Sequence, residues 1–83
     1  MSRRVSWTPR ALKDAGALDE VPLARVRAAL ERLATTGHGD VVKLRGMDPP
    51  EYRLRVGDYR VRLRLRADVL EVLHVLPRGK SYR

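Results

Sequence analysis

Tyr52-Arg53-Leu54-Arg55-Val56-Gly57-Asp58-Tyr59-Arg60-Val61-Arg62-Leu63-Arg64-Leu65-Arg66 alternates apolar and basic residues on both sides of one Gly-Asp pair. Alternation with period two marks a half-buried β-strand, and Gly-Asp between two such runs marks a two-residue hairpin turn. Pairing the strands across Gly57-Asp58 sorts the side chains. Tyr52, Leu54, Val56, Tyr59, Val61, Leu63 and Leu65 share one face, while Arg53, Arg55, Arg60, Arg62, Arg64 and Arg66 share the other. The register sets Arg55 opposite Arg60 and Arg53 opposite Arg62. Like charges directly opposite one another destabilise a sheet by about 0.2–1 kcal/mol per pair. A chain of 83 residues has little stability to spare. The arginine face therefore reads as a surface kept for phosphate rather than as an ordinary solvated strand face.

Outward from the hairpin, Ala67-Asp68 is a second turn. Val69 to Leu76 is nearly all apolar and reads as a strand buried on both faces, ended by Pro77. If that turn is also two residues long, Glu71 faces Arg64 and relieves part of the repulsion. The same regular register puts His74 on the side of Val61 and Leu63, so it reads as a core or helix-facing histidine. Trp7 reads as core too. Arg78, Lys80, Tyr82 and Arg83 form a basic tail directly behind this strand.

Upstream, Val41 to Leu44 is a short strand, and residues 45–50 are a turn-rich connection. Val5 to Trp7 is β-prone. Thr8-Pro9 is a helix start, a hydroxyl N-cap with proline at the first helical position. Leu12, Ala15 and Leu18 give that helix an apolar side, and Gly16 ends it. Pro22 opens a second helix, with Leu23, Val26, Leu30, Leu33 and Ala34 at helical spacing. Gly37 suits the left-handed position that closes it. The order is strand, two helices, then a run of strands. It predicts an α+β fold: an N-terminal helical hairpin packed on one face of a small, largely antiparallel sheet of four to five strands, with residues 1–83 as one domain.

Composition narrows the function. Eighteen Lys and Arg oppose ten Asp and Glu, a formal net charge of +8. Nearly all of the cations are arginines, whose planar fork of donors matches phosphate oxygens. A balance this basic points to a polyanionic partner. There is no cysteine, so no disulfide framework and no thiolate metal site. The two histidines, His38 and His74, are far apart in sequence, and no metal or other cofactor is expected. No long apolar run suggests a membrane span or signal peptide, so a cytoplasmic protein with no membrane partner is expected.

Four segments together resemble the RelE/ParE superfamily of toxins from type II toxin–antitoxin systems. They are Trp7-Thr8-Pro9-Arg10-Ala11, Lys43-Leu44-Arg45-Gly46, the stretch from Tyr52 to Val61, and Val72-Leu73-His74-Val75 followed by Arg78 and Tyr82. The resemblance runs from Val5 to Tyr82 in the right order, with residues 52–61 its most specific part. It implies a helical hairpin against a small sheet and a cognate antitoxin that wraps and blocks the toxin, with operator DNA met only through that antitoxin. RelE-like members are endoribonucleases, cutting messenger RNA in the ribosomal A site without a metal and in contact with 16S ribosomal RNA. ParE-like members inhibit DNA gyrase. A non-catalytic member that only binds antitoxin or nucleic acid is a third reading. The catalytic positions of RelE fall on Arg53 and Arg55 before the turn, Arg60 after it, Arg78 behind the last strand, and Tyr82. All five hold a compatible residue, which favours the RelE-like branch. Two departures stand out. RelE has lysines where this chain has Arg53 and Arg55, and many relatives have a histidine where this chain has Pro77.

Metal-free RNA cleavage must remove a proton from the 2′-hydroxyl, stabilise the phosphorane and protonate the 5′-oxygen. Arg60 and Arg78 suit the second task, with Arg53 and Arg55 holding phosphates. Arg62, Arg64, Lys43, Arg45, Lys80 and Arg83 extend the expected RNA-binding surface. Tyr82 is the candidate general base. Arginine is a poor proton carrier, since its guanidinium stays protonated far above neutral pH. The general acid is therefore the open question, with Lys80 or Glu51 as candidates.

Overall fold

The computed structural model describes residues 2–77. Its elements run β1 (Arg4–Trp7), α1 (Pro9–Gly16), α2 (Glu20–Thr36), β2 (Val41–Lys43), β3 (Tyr52–Val56), β4 (Tyr59–Leu65) and β5 (Val69–Pro77). The fold is α+β, as the alternation and helical spacing imply. Five strands form one sheet in the order β1-β5-β4-β3-β2, and the β1–β5 pair alone is parallel. Among the described residues no helix is long and apolar enough to cross a membrane.

The hairpin has the expected register. Arg53 faces Arg62, Arg55 faces Arg60, and Val56 faces Tyr59. The turn works because Gly57 takes a φ of +57° while Asp58 keeps a negative φ. That is the pattern of a type II′ turn, whose twist matches that of the strands. At the next strand pair Arg64 faces Glu71, again as expected.

The helices sit differently on the sheet. α2 covers the apolar face with Val26, Leu30, Leu33 and Ala34, which pack with Leu54, Val61, Leu63, Leu70, Val72 and Val75. Trp7 is half-buried against this core. α2 begins at Glu20, two residues before Pro22, because the first-turn N–H groups have no intrahelical partner and a proline costs nothing there. It closes at Gly37 (φ +77°), whose N–H donates to the Leu33 carbonyl at 2.9 Å. α1 instead lies along the edge of β5 beyond the end of β1. The Thr8 N–H donates to the Val72 carbonyl at 3.1 Å, and Asp14 Oδ2 accepts the Val75 N–H at 3.0 Å. The Thr8 hydroxyl accepts the Ala11 N–H, the expected N-cap. A short helix thus supplies the polar groups that a continuing β1 would have supplied to β5.

One register differs from the sequence reading. β4 and β5 shift by one residue after Leu63, so Val61 faces Val75 and Arg62 faces His74. The extra residue is Leu73. A bulge of this kind moves every later side chain to the opposite face. His74 is therefore not a core histidine beside Val61 and Leu63. It stands on the arginine face, with 39% of its side chain exposed. β5 is also not buried on both faces: Leu70, Val72 and Val75 are buried, whereas Glu71, Leu73, His74 and Leu76 are half-buried.

Candidate RNA-binding site

The arginine face divides into two ends. At one end the charges are compensated. Glu51, just ahead of β3, lies 2.9 Å from Arg62 Nη2 and 3.6 Å from Arg64 Nη2. Glu71 lies 3.8 Å from Arg64 and 3.9 Å from Arg66. Arg62 Nη2 also reaches the Met47 sulfur at 3.9 Å. Glu51 is among the few buried charged residues, at 9% exposure. It is placed there by the 44–51 connection, whose ends are joined by the Leu44 N–H donating to the Glu51 carbonyl.

At the other end, beside the Gly57-Asp58 turn, Arg55 faces Arg60 and Arg60 faces Leu76. Arg53, Arg55 and Arg60 line one small cleft of about 130 Å³, together with Asp40 and Val42. Arg55 is exposed, Arg53 half-buried, and Arg60 is 5% exposed. A buried guanidinium is held in place by its surroundings, and low local dielectric strengthens its field. Such a group can meet developing negative charge with little reorganisation.

The sequence-based site residues are therefore only partly gathered. Arg53, Arg55 and Arg60 come together. Arg62 and Arg64 share their face but serve Glu51 and Glu71. Lys43 is opposite Tyr52, which places it on the helix-bearing side of the sheet, and Val42 takes the position beside Arg53. Arg45 is exposed in the connection. Arg78, Lys80, Tyr82 and Arg83 lie outside the described residues. Pro77 is opposite Tyr59, one position from the Arg60–Leu76 pair, so the chain leaves β5 at the turn end of the face. Glu51, the alternative acid, stands four residues from Arg55 along an extended strand, about 13 Å away at some 3.3 Å per residue. It is a counter-ion of the compensated end.

These features fit a known group. The family model of the ParE toxin of type II toxin–antitoxin systems, parDE, matches residues 5–82. The chain belongs to the ParE toxin family. Solved structures place the toxin on the RelE-like fold within the RelE/ParE superfamily. It is similar to the archaeal RelE–RelB complex of Pyrococcus horikoshii, with a TM-score of 0.80 and 29% identity over 96% of this chain and 99% of that one. The toxin–antitoxin complex RelBE2 of Mycobacterium tuberculosis matches with a TM-score of 0.80 and 24% identity, over 94% of this chain and 100% of that one. The RelB–RelE complex of Methanococcus jannaschii matches with a TM-score of 0.75 and 22% identity, over 92% and 93%. The last two show the shared fold alone. No curated protein matches the toxin.

Sequence reasoning missed the compensating role of Glu51, the burial of Arg60 and the facing of His74. The last left a trace. Glu71 and His74 are the two polar residues of β5 and stand three apart. A regular strand puts residues at odd spacing on opposite faces, whereas a one-residue bulge puts both on one face.

Proposed function

We propose that this toxin is a ribosome-dependent, metal-independent endoribonuclease that cuts messenger RNA in the A site and is neutralised by a cognate antitoxin. The observation that carries this reading is the cleft where Arg53, Arg55 and the buried Arg60 converge. An RNA phosphate seated there meets three guanidinium groups, and Arg60 is positioned to stabilise the phosphorane as the 2′-oxygen attacks. Arg53 and Arg55 hold the neighbouring phosphates. The chain leaves β5 beside this cleft, which is consistent with Arg78 and Tyr82 completing the site, Tyr82 as general base. The antitoxin partnership is supported by the solved relatives, which are RelE–RelB complexes.

The test is induction of the toxin without its antitoxin, followed by primer extension on cellular messages. Discrete cuts within translated frames are the expected result. Intact messages would overturn it. The match to the ParE family favours a second reading, inhibition of DNA gyrase. Its signature in the same experiment is intact message with an SOS response. Growth without arrest, message cuts or an SOS response would identify a member that only binds antitoxin or nucleic acid.

A further inference from the structure

The arginine face holds a larger cleft, of about 440 Å³, whose walls include Arg10, Met47, Glu51, Arg62, Arg64 and His74. Its arginines cannot exchange protons near neutral pH, and Glu51 is occupied by Arg62 and Arg64. Imidazole is the side-chain chemistry best suited to proton transfer in that range, and His74 is the imidazole on these walls. We propose that His74 is the general acid of the cleavage reaction, aimed into the cleft by the bulge at Leu73 and oriented by Asp14. The proposal rests on the endoribonuclease reading above and names the group that the arginines at 53 and 55 cannot replace.

Three observations carry it. The bulge turns His74 out of the core and onto the arginine face, and bulges are a recurrent device for re-aiming a side chain beside a site. The ring is held from one side. Nδ1 is buried, makes no hydrogen bond, and stands 3.5 Å from Asp14 Oδ2, within ion-pair reach when the ring is protonated. Asp14 is itself fixed, because Oδ2 accepts the Val75 N–H at 3.0 Å and Oδ1 lies 3.3 Å from Arg10 Nε. Nε2 remains as the nitrogen that can address a ligand. Finally, Arg53, Arg62 and His74 form one row across β3, β4 and β5, and Arg55, Arg60 and Leu76 form the next row. The rows are two residues apart, about 7 Å along the strands. An RNA strand held at Arg55 and Arg60 can therefore present an adjacent oxygen to His74.

The step balances. The 2′-oxygen attacks phosphorus as its proton passes to a base, and the bond from phosphorus to the 5′-oxygen breaks. That oxygen takes the Nε2 proton of the imidazolium. The products are a 2′,3′-cyclic phosphate and a 5′-hydroxyl, and the neutral imidazole regains a proton from water. The Nδ1 proton stays on His74 throughout, and Asp14 is a positioning residue whose carboxylate faces it.

The experiment uses ribosomes programmed with a short synthetic message, cut at a mapped position by the full-length toxin. One message is unmodified. The other carries sulfur in place of the 5′-oxygen at the cut, a leaving group that departs without protonation. His74→Gln is expected to slow cleavage of the normal message by about 100-fold or more and to cut the sulfur-bearing message within a few-fold of the wild-type rate. Asp14→Asn should show a smaller loss with the same rescue, and thermal melts confirm that both variants fold. Unchanged cleavage of the normal message by His74→Gln would overturn the proposal, as would equal slowing on both messages. If the wild-type toxin cuts neither message, the endoribonuclease reading itself fails and the assignment of His74 falls with it.

Discussion

The two ends of the arginine face use the same residue type on the same two strands, yet they are built for different tasks. At the end formed by Arg62, Arg64 and Arg66, every arginine has a carboxylate of Glu51 or Glu71 within 2.9–3.9 Å. At the turn end, the strand register sets arginine against arginine and arginine against leucine, and Arg60 is buried at a cleft. The first end spends its charge inside the protein. The second gathers Arg53, Arg55 and Arg60 around one small cleft that Asp40 and Val42 also line. Alternation along a strand is thus a statement about faces, not about function. The distinction comes from what the rest of the chain brings up to each arginine: Glu51 and Glu71 at one end, a small shared cleft at the other.

That contrast can be broken by substitution, because changes at the turn end should reduce activity and changes at the compensated end should reduce stability. The largest effect is expected at Arg60. Arg60→Ala should abolish growth arrest and lower message cleavage by about 10²–10³-fold, the cost of losing one preorganised donor to a developing oxyanion. Circular dichroism and cleavage measured on the same preparation check that the sheet survives. Next is Glu51→Gln, which removes the carboxylate 2.9 Å from half-buried Arg62 and leaves Arg64 with Glu71 alone. It should destabilise the fold by about 1–3 kcal/mol, seen as a lower denaturant midpoint, with a much smaller loss of cleavage per folded molecule than Arg60→Ala shows. A large loss of activity at full stability would erase the division between the two ends.

Arg55→Ala should weaken RNA binding evenly across sequences and reduce the salt dependence of binding by about one phosphate contact. Titration at several salt concentrations measures that slope. The smallest effect is expected at Arg66, whose side chain is 60% exposed and 3.9 Å from Glu71. An exposed pair of this kind contributes about 0–1 kcal/mol, so Arg66→Ala should shift neither the unfolding midpoint nor cleavage beyond small changes.

Much of this architecture is legible in the chain because it depends on local chemistry. Thr8-Pro9 caps α1 through a side chain three residues from its partner. Gly37 ends α2 because a left-handed residue is needed where it stands. The Arg53–Arg62 and Arg55–Arg60 pairs follow from the length of one two-residue turn. The placement of Lys43 is a nearer miss. Its position depends on the register of β2 against β3, which is set across a connection of eight residues and not by a tight turn.

The residue pattern of 52–66 therefore determined by itself the hairpin, its two faces and the concentration of guanidinium groups, because period two and turn geometry act between neighbours. Only tertiary structure decided that Glu51 pairs with Arg62 and Arg64, that Arg60 is buried, and where His74 points. Those outcomes depend on a carboxylate delivered by the 44–51 connection, on helix α1 lying along the edge of β5, and on one extra residue at Leu73. The first two are contacts between separate segments of the chain that the alternation of a single strand does not encode, and the third leaves only the three-residue spacing of Glu71 and His74 as its trace.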